Sequence, residues 1–135
     1  MFIFCDASKS SFGFVVYAVQ NGNSRFLFSK LKIAPLVDRT LPTLELLAIY
    51  LALKHLESYI DEVYNSDIKF NSFTFLSDSQ VALSWILKGY ALKKNVFINN
   101  RLKDMKTILE TFHRRNILIN FDLCPNGRKC GRLFD

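Results

Sequence analysis

The sequence predicts an α/β fold: a five-stranded mixed sheet, three antiparallel strands followed by parallel additions, flanked by helices. Three observations predict it. The chain opens on a short aromatic and aliphatic run that ends in an aspartate between small residues, Phe2-Ile3-Phe4-Cys5-Asp6-Ala7-Ser8. The pattern returns as Phe73-Thr74-Phe75-Leu76-Ser77-Asp78-Ser79, and runs of this length and composition are those of buried strands. Between the two lie a hairpin signal and then a helical period, which supplies the crossover that parallel strands require.

In order, the first strand ends at Asp6, and Ser10-Ser11 makes a turn. Residues 12–20 (FGFVVYAVQ) are apolar on both faces, as a strand near the middle of a sheet would be. Asn21-Gly22 is the strongest hairpin signal in the chain, so residues 25–33 form a third strand and close an antiparallel meander. Residues 34–41 connect. Pro42 suits the first turn of a helix with Thr40 or Leu41 before it. That helix is expected over residues 43–59, with Leu44, Leu47, Ala48 and Leu51 on one period and Leu46, Ile49, Tyr50 and Leu53 filling much of the rest. Residues 61–69 are polar and expected to loop. A fourth strand over 70–76 leads into Ser77-Asp78-Ser79, which caps a second helix over 80–88 that Gly89 ends. The basic linker Lys93-Lys94 precedes a third helix over 96–115, and residues 117–123 (ILINFDL) make a fifth strand. Residues 1–123 are therefore one domain, and residues 124–135 an irregular tail without periodicity.

A chain of 135 residues holds one domain with a real core. Half of the residues are hydrophobic, which is a globular composition. No apolar run approaches the roughly 20 residues that cross a bilayer, and no signal-like segment opens the chain. An intracellular, cytoplasmic protein is expected, one that is not secreted and makes no contact with membranes. The formal net charge of +6 favours an anionic partner such as nucleic acid without establishing one. Cys5, Cys124 and Cys130 show no paired C-x-x-C spacing and suggest neither a disulfide framework nor a zinc site.

The chemistry lies in three acids. Taken singly each has an ordinary explanation: Asp6 as a turn residue, Asp78 as a helix cap, Glu45 as a first-turn acid facing the helix dipole. Glu45 is the one charge in an apolar half-helix, and it makes no capping box with Thr40. Taken together, two strand-end aspartates and one helical glutamate can converge on one edge of the sheet. Crowded carboxylates repel unless a divalent cation neutralises them. Oxygen-only ligands suit Mg²⁺ or Mn²⁺, and a pair of such ions can cleave a phosphodiester. Lys30, Lys32, Lys93, Lys94, Arg101, Arg114 and Arg115 could each contact phosphate or lie on a solvated basic face. Trp85 fits the core, and neither His55 nor His113 is placed as a general base.

Five segments in order, FCDAS, SKLKIAPL, RTLPTLELLA, FLSDSQVALSWI and FINNRLKDM, resemble the ribonuclease H-like domain of BEL/Pao-type retrotransposon polyproteins. The resemblance covers residues 2–123. It implies a ribonuclease H-like fold, with Asp6, Glu45 and Asp78 as the first three metal-binding catalytic carboxylates. It further implies metal-dependent hydrolysis of the RNA strand of an RNA–DNA hybrid after reverse transcription, beside a reverse transcriptase region of the same polyprotein. Two Mg²⁺ or Mn²⁺ ions are implied for the family and one for this chain. Lys30, Lys93, Lys94 and Arg101 become the candidates for nucleic-acid binding. An aspartic peptidase would need Asp-Thr/Ser-Gly, and neither Asp6-Ala7-Ser8 nor Asp78-Ser79-Gln80 supplies it.

The departure from the family is at the C-terminus. The resemblance implies a fourth carboxylate after the last strand, in a segment like Asn-Pro/Val-Ala-Asp. Here the chain reads Arg128-Lys129-Cys130-Gly131-Arg132-Leu133-Phe134-Asp135. Those residues back-translate to AGA AAA TGT GGC CGA TTA TTT GAC, which from its second nucleotide encodes Glu-Asn-Val-Ala-Asp-Tyr-Leu. A frameshift near Gly127 is the hypothesis, and the nucleotide sequence tests it, since other codons there rule it out. The expected result is an impaired enzyme or a non-catalytic nucleic-acid-binding remnant or scaffold. Asp122 lies inside a strand and is expected at the surface.

Overall fold

A computed structural model describes residues 1–35, 39–65, 72–91 and 95–124, with the side chains of 61 and 63–65 excepted. The elements follow the expected order: β1 (Phe2–Ala7), β2 (Ser11–Gln20), β3 (Asn23–Ile33), α1 (Leu41–Asn65), β4 (Ser72–Ser77), α2 (Gln80–Lys88), α3 (Val96–Arg114) and β5 (Leu118–Leu123). The strands stand in the order β3-β2-β1-β4-β5. β2 is antiparallel to both β1 and β3, whereas β1/β4 and β4/β5 are parallel.

Local chemistry sets the joints. Asn21 and Gly22 both take positive φ, 54° and 80°, the pair of left-handed residues that a tight hairpin needs. Ser8 Oγ accepts from the N–H groups of Ser10 and Ser11 and closes the β1–β2 turn. Gly89 ends α2 in the left-handed region, its N–H on the Trp85 carbonyl at 2.8 Å. His113 and Arg114 lie in the last turn of α3, where cations meet the negative end of the helix.

β1, at the centre of the sheet, is flanked by β2 and β4. Ile3, Cys5, Phe14, Val16, Phe73 and Phe75 are buried on one face of the sheet, and α1 packs against β1 and β2 over it. From α1 this core takes Leu46, Ile49, Leu53, Leu56 and Ile60; α3 adds Met105 and Phe112, the latter edge-on to Phe73 at 5.6 Å. The opposite face is less covered. Phe26 and Val19 are exposed there, and Tyr17 links Phe4 to Phe26 by edge-to-face contacts.

One expectation is corrected. α1 runs on through residues 61–65, where a loop was expected. Ile60 extends the buried stripe of Ile49, Leu53 and Leu56 at helical spacing, and neither Gly nor Pro interrupts it. Cys5 is free and buried, and Cys130 lies outside the described residues. Lys93 and Lys94 lie outside the described residues, as does the tail 125–135. Among the described residues no helix is long and apolar enough to cross a membrane.

Candidate active site

The backbone pairs the two strands that lead into the aspartates. β1 and β4 pair with Phe2 opposite Thr74, Ile3 opposite Phe75 and Phe4 opposite Leu76; that register, continued two residues past the paired stretch, would set Asp6 opposite Asp78. On its other side Asp6 faces Gly13 of β2. Gly13 is needed there because an added Cβ would press on the backbone carbonyl oxygen of Lys30 in β3. Neither aspartate follows its single-residue explanation. Asp6 belongs to β1, and the N-cap of α2 is Ser79, so Asp78 is left uncapping.

Glu45 reaches the pair from α1. It is the fifth residue of that helix, and the first turn holds no acid, so a first-turn dipole role is ruled out. Its side chain is 8% exposed. Burial raises its pKa above the ordinary carboxylate value; a hydrogen bond from Ser79 opposes the shift, and the charges of Asp78 and Asp6 add to it. Both aspartates thus act on Glu45 directly. Among the described residues Asp78 Oδ1 is buried and accepts no hydrogen bond, which is costly for a carboxylate oxygen.

These features fit a hard cation in donor chemistry: three oxygen acids, one raised by burial and then by its neighbours' charges, and one with a buried lone oxygen. Among the described residues no group of three acids or other ligating side chains stands close enough to form a metal cluster as it is. Asp122 is exposed on β5, as expected.

The basic candidates divide. Lys30 is exposed on β3, and its charge, after burial, lowers the pKa of His55. His55 lies ten residues beyond Glu45 on α1, about 15 Å along the axis, and packs on Phe14. Arg101 instead joins a cluster that the sequence reading missed. Its guanidinium lies 5.3 Å from the Tyr50 ring and 5.5 Å from the Phe97 ring, and Arg39 stacks over Phe97 at 3.9 Å. Lys54 approaches Tyr50 from its other neighbour position on α1 at 5.4 Å. The Nε atoms of Arg39 and Arg101 are buried without a hydrogen-bond partner among the described residues. Arg101 meets Asp104 only at 3.8 Å and partly exposed, a weak pair. The i, i+4 spacing of Phe97 and Arg101 was the available signal; nothing local ties Arg39 to them.

The sequence profile of the Pao retrotransposon-like RNaseH-like domain matches residues 1–79. Among solved structures the chain is similar to RNase H1 from the halophilic archaeon Halobacterium salinarum, at 12% identity and a TM-score of 0.67 over 97% of this chain and 87% of that one. LC11-RNase H1 in complex with an RNA/DNA hybrid gives 18% identity and a TM-score of 0.66, covering 97% and 88%. The N-terminal RNase H domain of a Mycobacterium tuberculosis protein gives 13% and 0.61, covering 94% and 88%. No curated protein matches the sequence. The architecture is the ribonuclease H-like fold.

Proposed function

Because this chain belongs to the Pao retrotransposon-like RNaseH-like domain family, we propose that it hydrolyses the RNA strand of RNA–DNA hybrids with Mg²⁺ or Mn²⁺, at a rate reduced by loss of the fourth carboxylate. The observation that carries this is Glu45, buried and raised by both Asp78 and Asp6. Asp6, Glu45 and Asp78 would hold the cation, and the lone Asp78 Oδ1 is the oxygen left for it. When bound, such an ion activates a water and stabilises the leaving oxygen of a phosphodiester. The chain's own part would be to hold Asp6 and Asp78 at the ends of β1 and β4 and to keep Glu45 from solvent. Arg39 and Arg101 offer guanidinium edges to the phosphates of a hybrid, set by the rings of Phe97 and Tyr50. Lys30, on the edge strand, is a secondary contact, and Lys93 and Lys94 would add charge from the linker before α3. A hybrid is read by shape and 2′-hydroxyls, so no sequence preference follows. The hybrid bound by LC11-RNase H1 supports this substrate class. In a retroelement the chain would act in the cytoplasm beside the reverse transcriptase region of its polyprotein.

The second reading is a non-catalytic remnant that still binds nucleic acid. The basic run Arg128 to Arg132 favours it, standing where the family carries an acid. The deciding experiment is cleavage of a labelled RNA–DNA hybrid with Mg²⁺ or Mn²⁺, beside Asp78→Asn. Cleavage lost in Asp78→Asn is the expected result. No cleavage by a folded wild type, recovered when the shifted frame is restored, identifies the remnant. No cleavage by either chain rejects the enzyme reading.

A further inference from the structure

β3 stands at one edge of the sheet, with β2 as its single strand neighbour among the described residues. About half of its backbone N–H and C=O groups therefore point away from the sheet, as those of any edge strand do. All of its residues are exposed except Phe28, which is half-buried. Proteins usually protect so long an edge, and here a bulge protects one part of it. Val16 pairs with Phe28 and Tyr17 with Phe26, which leaves Leu27 without a partner in β2 and bends the strand there. The remainder, residues 28–33, pairs with β2 in unbroken register and leaves its outer side open among the described residues.

That open stretch is two-faced. Lys30 and Lys32 lie opposite Phe14 and Phe12, which are buried on the helix side of the sheet, so both lysines stand on that side. Leu31 and Ile33 lie opposite Gly13 and Ser11 on the other side, 60% and 83% exposed. Gly13 has no side chain to cover Leu31. β3 carries Arg25, Lys30 and Lys32 and no acid. We infer that residues 28–33 receive an extended protein segment as an added strand, one that alternates acidic and apolar side chains. Its acids stand beside Lys30 and Lys32, and its apolar residues beside Leu31 and Ile33. Opposite charges on neighbouring strands attract and like charges repel. A second copy of β3 is disfavoured for that reason, since it brings cations to cations. Edge lysines deter neutral and basic strands, whereas an acidic strand turns the same residues into contacts. A nucleic acid would meet the charges but has no alternating N–H and C=O groups to complete the ladder. The inference is independent of Asp6, Glu45 and Asp78.

The test is backbone amide exchange in the intact chain, followed by NMR, with a capped peptide of alternating glutamate and valine. The expected result is slowed exchange at alternate residues within 28–33, where the N–H groups face outward. Binding should weaken roughly tenfold in Lys30→Glu/Lys32→Glu, and a peptide of alternating lysine and valine should prefer that variant to wild type. Both positions are exposed, and a circular dichroism spectrum matching wild type checks that the variant folds. A glutamate–valine peptide N-methylated at alternate residues keeps the charge, cannot complete the ladder and should not bind. Equal binding of the N-methylated peptide overturns the inference, as does equal affinity in wild type and the double variant. No binding, or protection confined to other elements, overturns it too. Amides within 28–33 already protected in a chain that sediments as a dimer assign the edge to a second copy and overturn it. An oligodeoxynucleotide that slows the same amides as much as the peptide assigns the edge to nucleic acid, with the same consequence.

Discussion

α1 carries two charged regions little more than a turn apart, and they are built in opposite ways. At Glu45 a carboxylate is buried, and burial first, then the charges of Asp78 and Asp6, work against its ionisation. At Tyr50 the charges are positive and cushioned: Arg39 and Arg101 lie over aromatic rings, their charge spread along π faces. The acid region is fixed by backbone, through strand register and a helix cap. The basic region is fixed by side-chain stacking between α3 and the connector before α1. A site of the first kind is organised for a small, highly charged ligand at one point. The second kind suits an extended anion, because a stacked guanidinium keeps its edges free to donate.

The largest separation between the regions is expected in catalysis. Asp6→Asn lowers the rate of hybrid cleavage by roughly 100-fold or more with the fold retained, as single-turnover kinetics and circular dichroism will measure. An Asp6→Asn chain that cleaves at the wild-type rate removes the acid region from the mechanism. Next comes the backbone frame of that region. Gly13→Ala forces β2 away from the Lys30 carbonyl and costs about 1–3 kcal/mol in chemical denaturation, whereas Arg39→Ala leaves stability nearly unchanged. Equal losses in the two would erase the contrast between backbone and stacking.

Smaller effects belong to the basic region. Arg39→Ala and Arg101→Ala each weaken hybrid binding for any sequence and reduce the slope of log affinity against log salt by about one. A slope unchanged in both assigns the guanidiniums to packing alone. The smallest effect concerns Glu45 without a cation. Its pKa is raised in the folded chain, so the native state holds the proton more tightly than the unfolded state. The associated stability is present at low pH and is lost as pH rises through the folded pKa. With chelator, wild type should therefore lose stability between weakly acidic and neutral pH, and Glu45→Gln should lose less. At neutral pH the variant should melt higher than wild type.

The two regions were unequally legible in the sequence. Strand-then-Asp occurs twice with matching neighbours, and a single acid in an apolar half-helix is conspicuous, so Asp6, Glu45 and Asp78 stand out as candidates in the sequence alone. Strand order followed from the hairpin at Asn21-Gly22 and the crossover helix. The Arg39–Phe97–Arg101 stack was not legible, because Arg39 and Phe97 are 58 positions apart and pair across elements with no shared period. Ser79 was legible only as part of a cap. The far end of α1 was misjudged because polar residues there obscured Ile60, which continues the buried stripe.

The central claim is that Asp6, Glu45 and Asp78 form one crowded acid site that a divalent cation relieves. The most direct measurement is the thermal midpoint of wild type, Asp6→Asn and Glu45→Gln at neutral pH, with chelator and then with Mg²⁺. The account predicts that Mg²⁺ raises the wild-type midpoint, with a smaller rise in either variant, and that Glu45→Gln melts higher than wild type in chelator. A wild-type midpoint indifferent to Mg²⁺, together with a Glu45→Gln chain that melts lower, would contradict it and make Glu45 a structural acid.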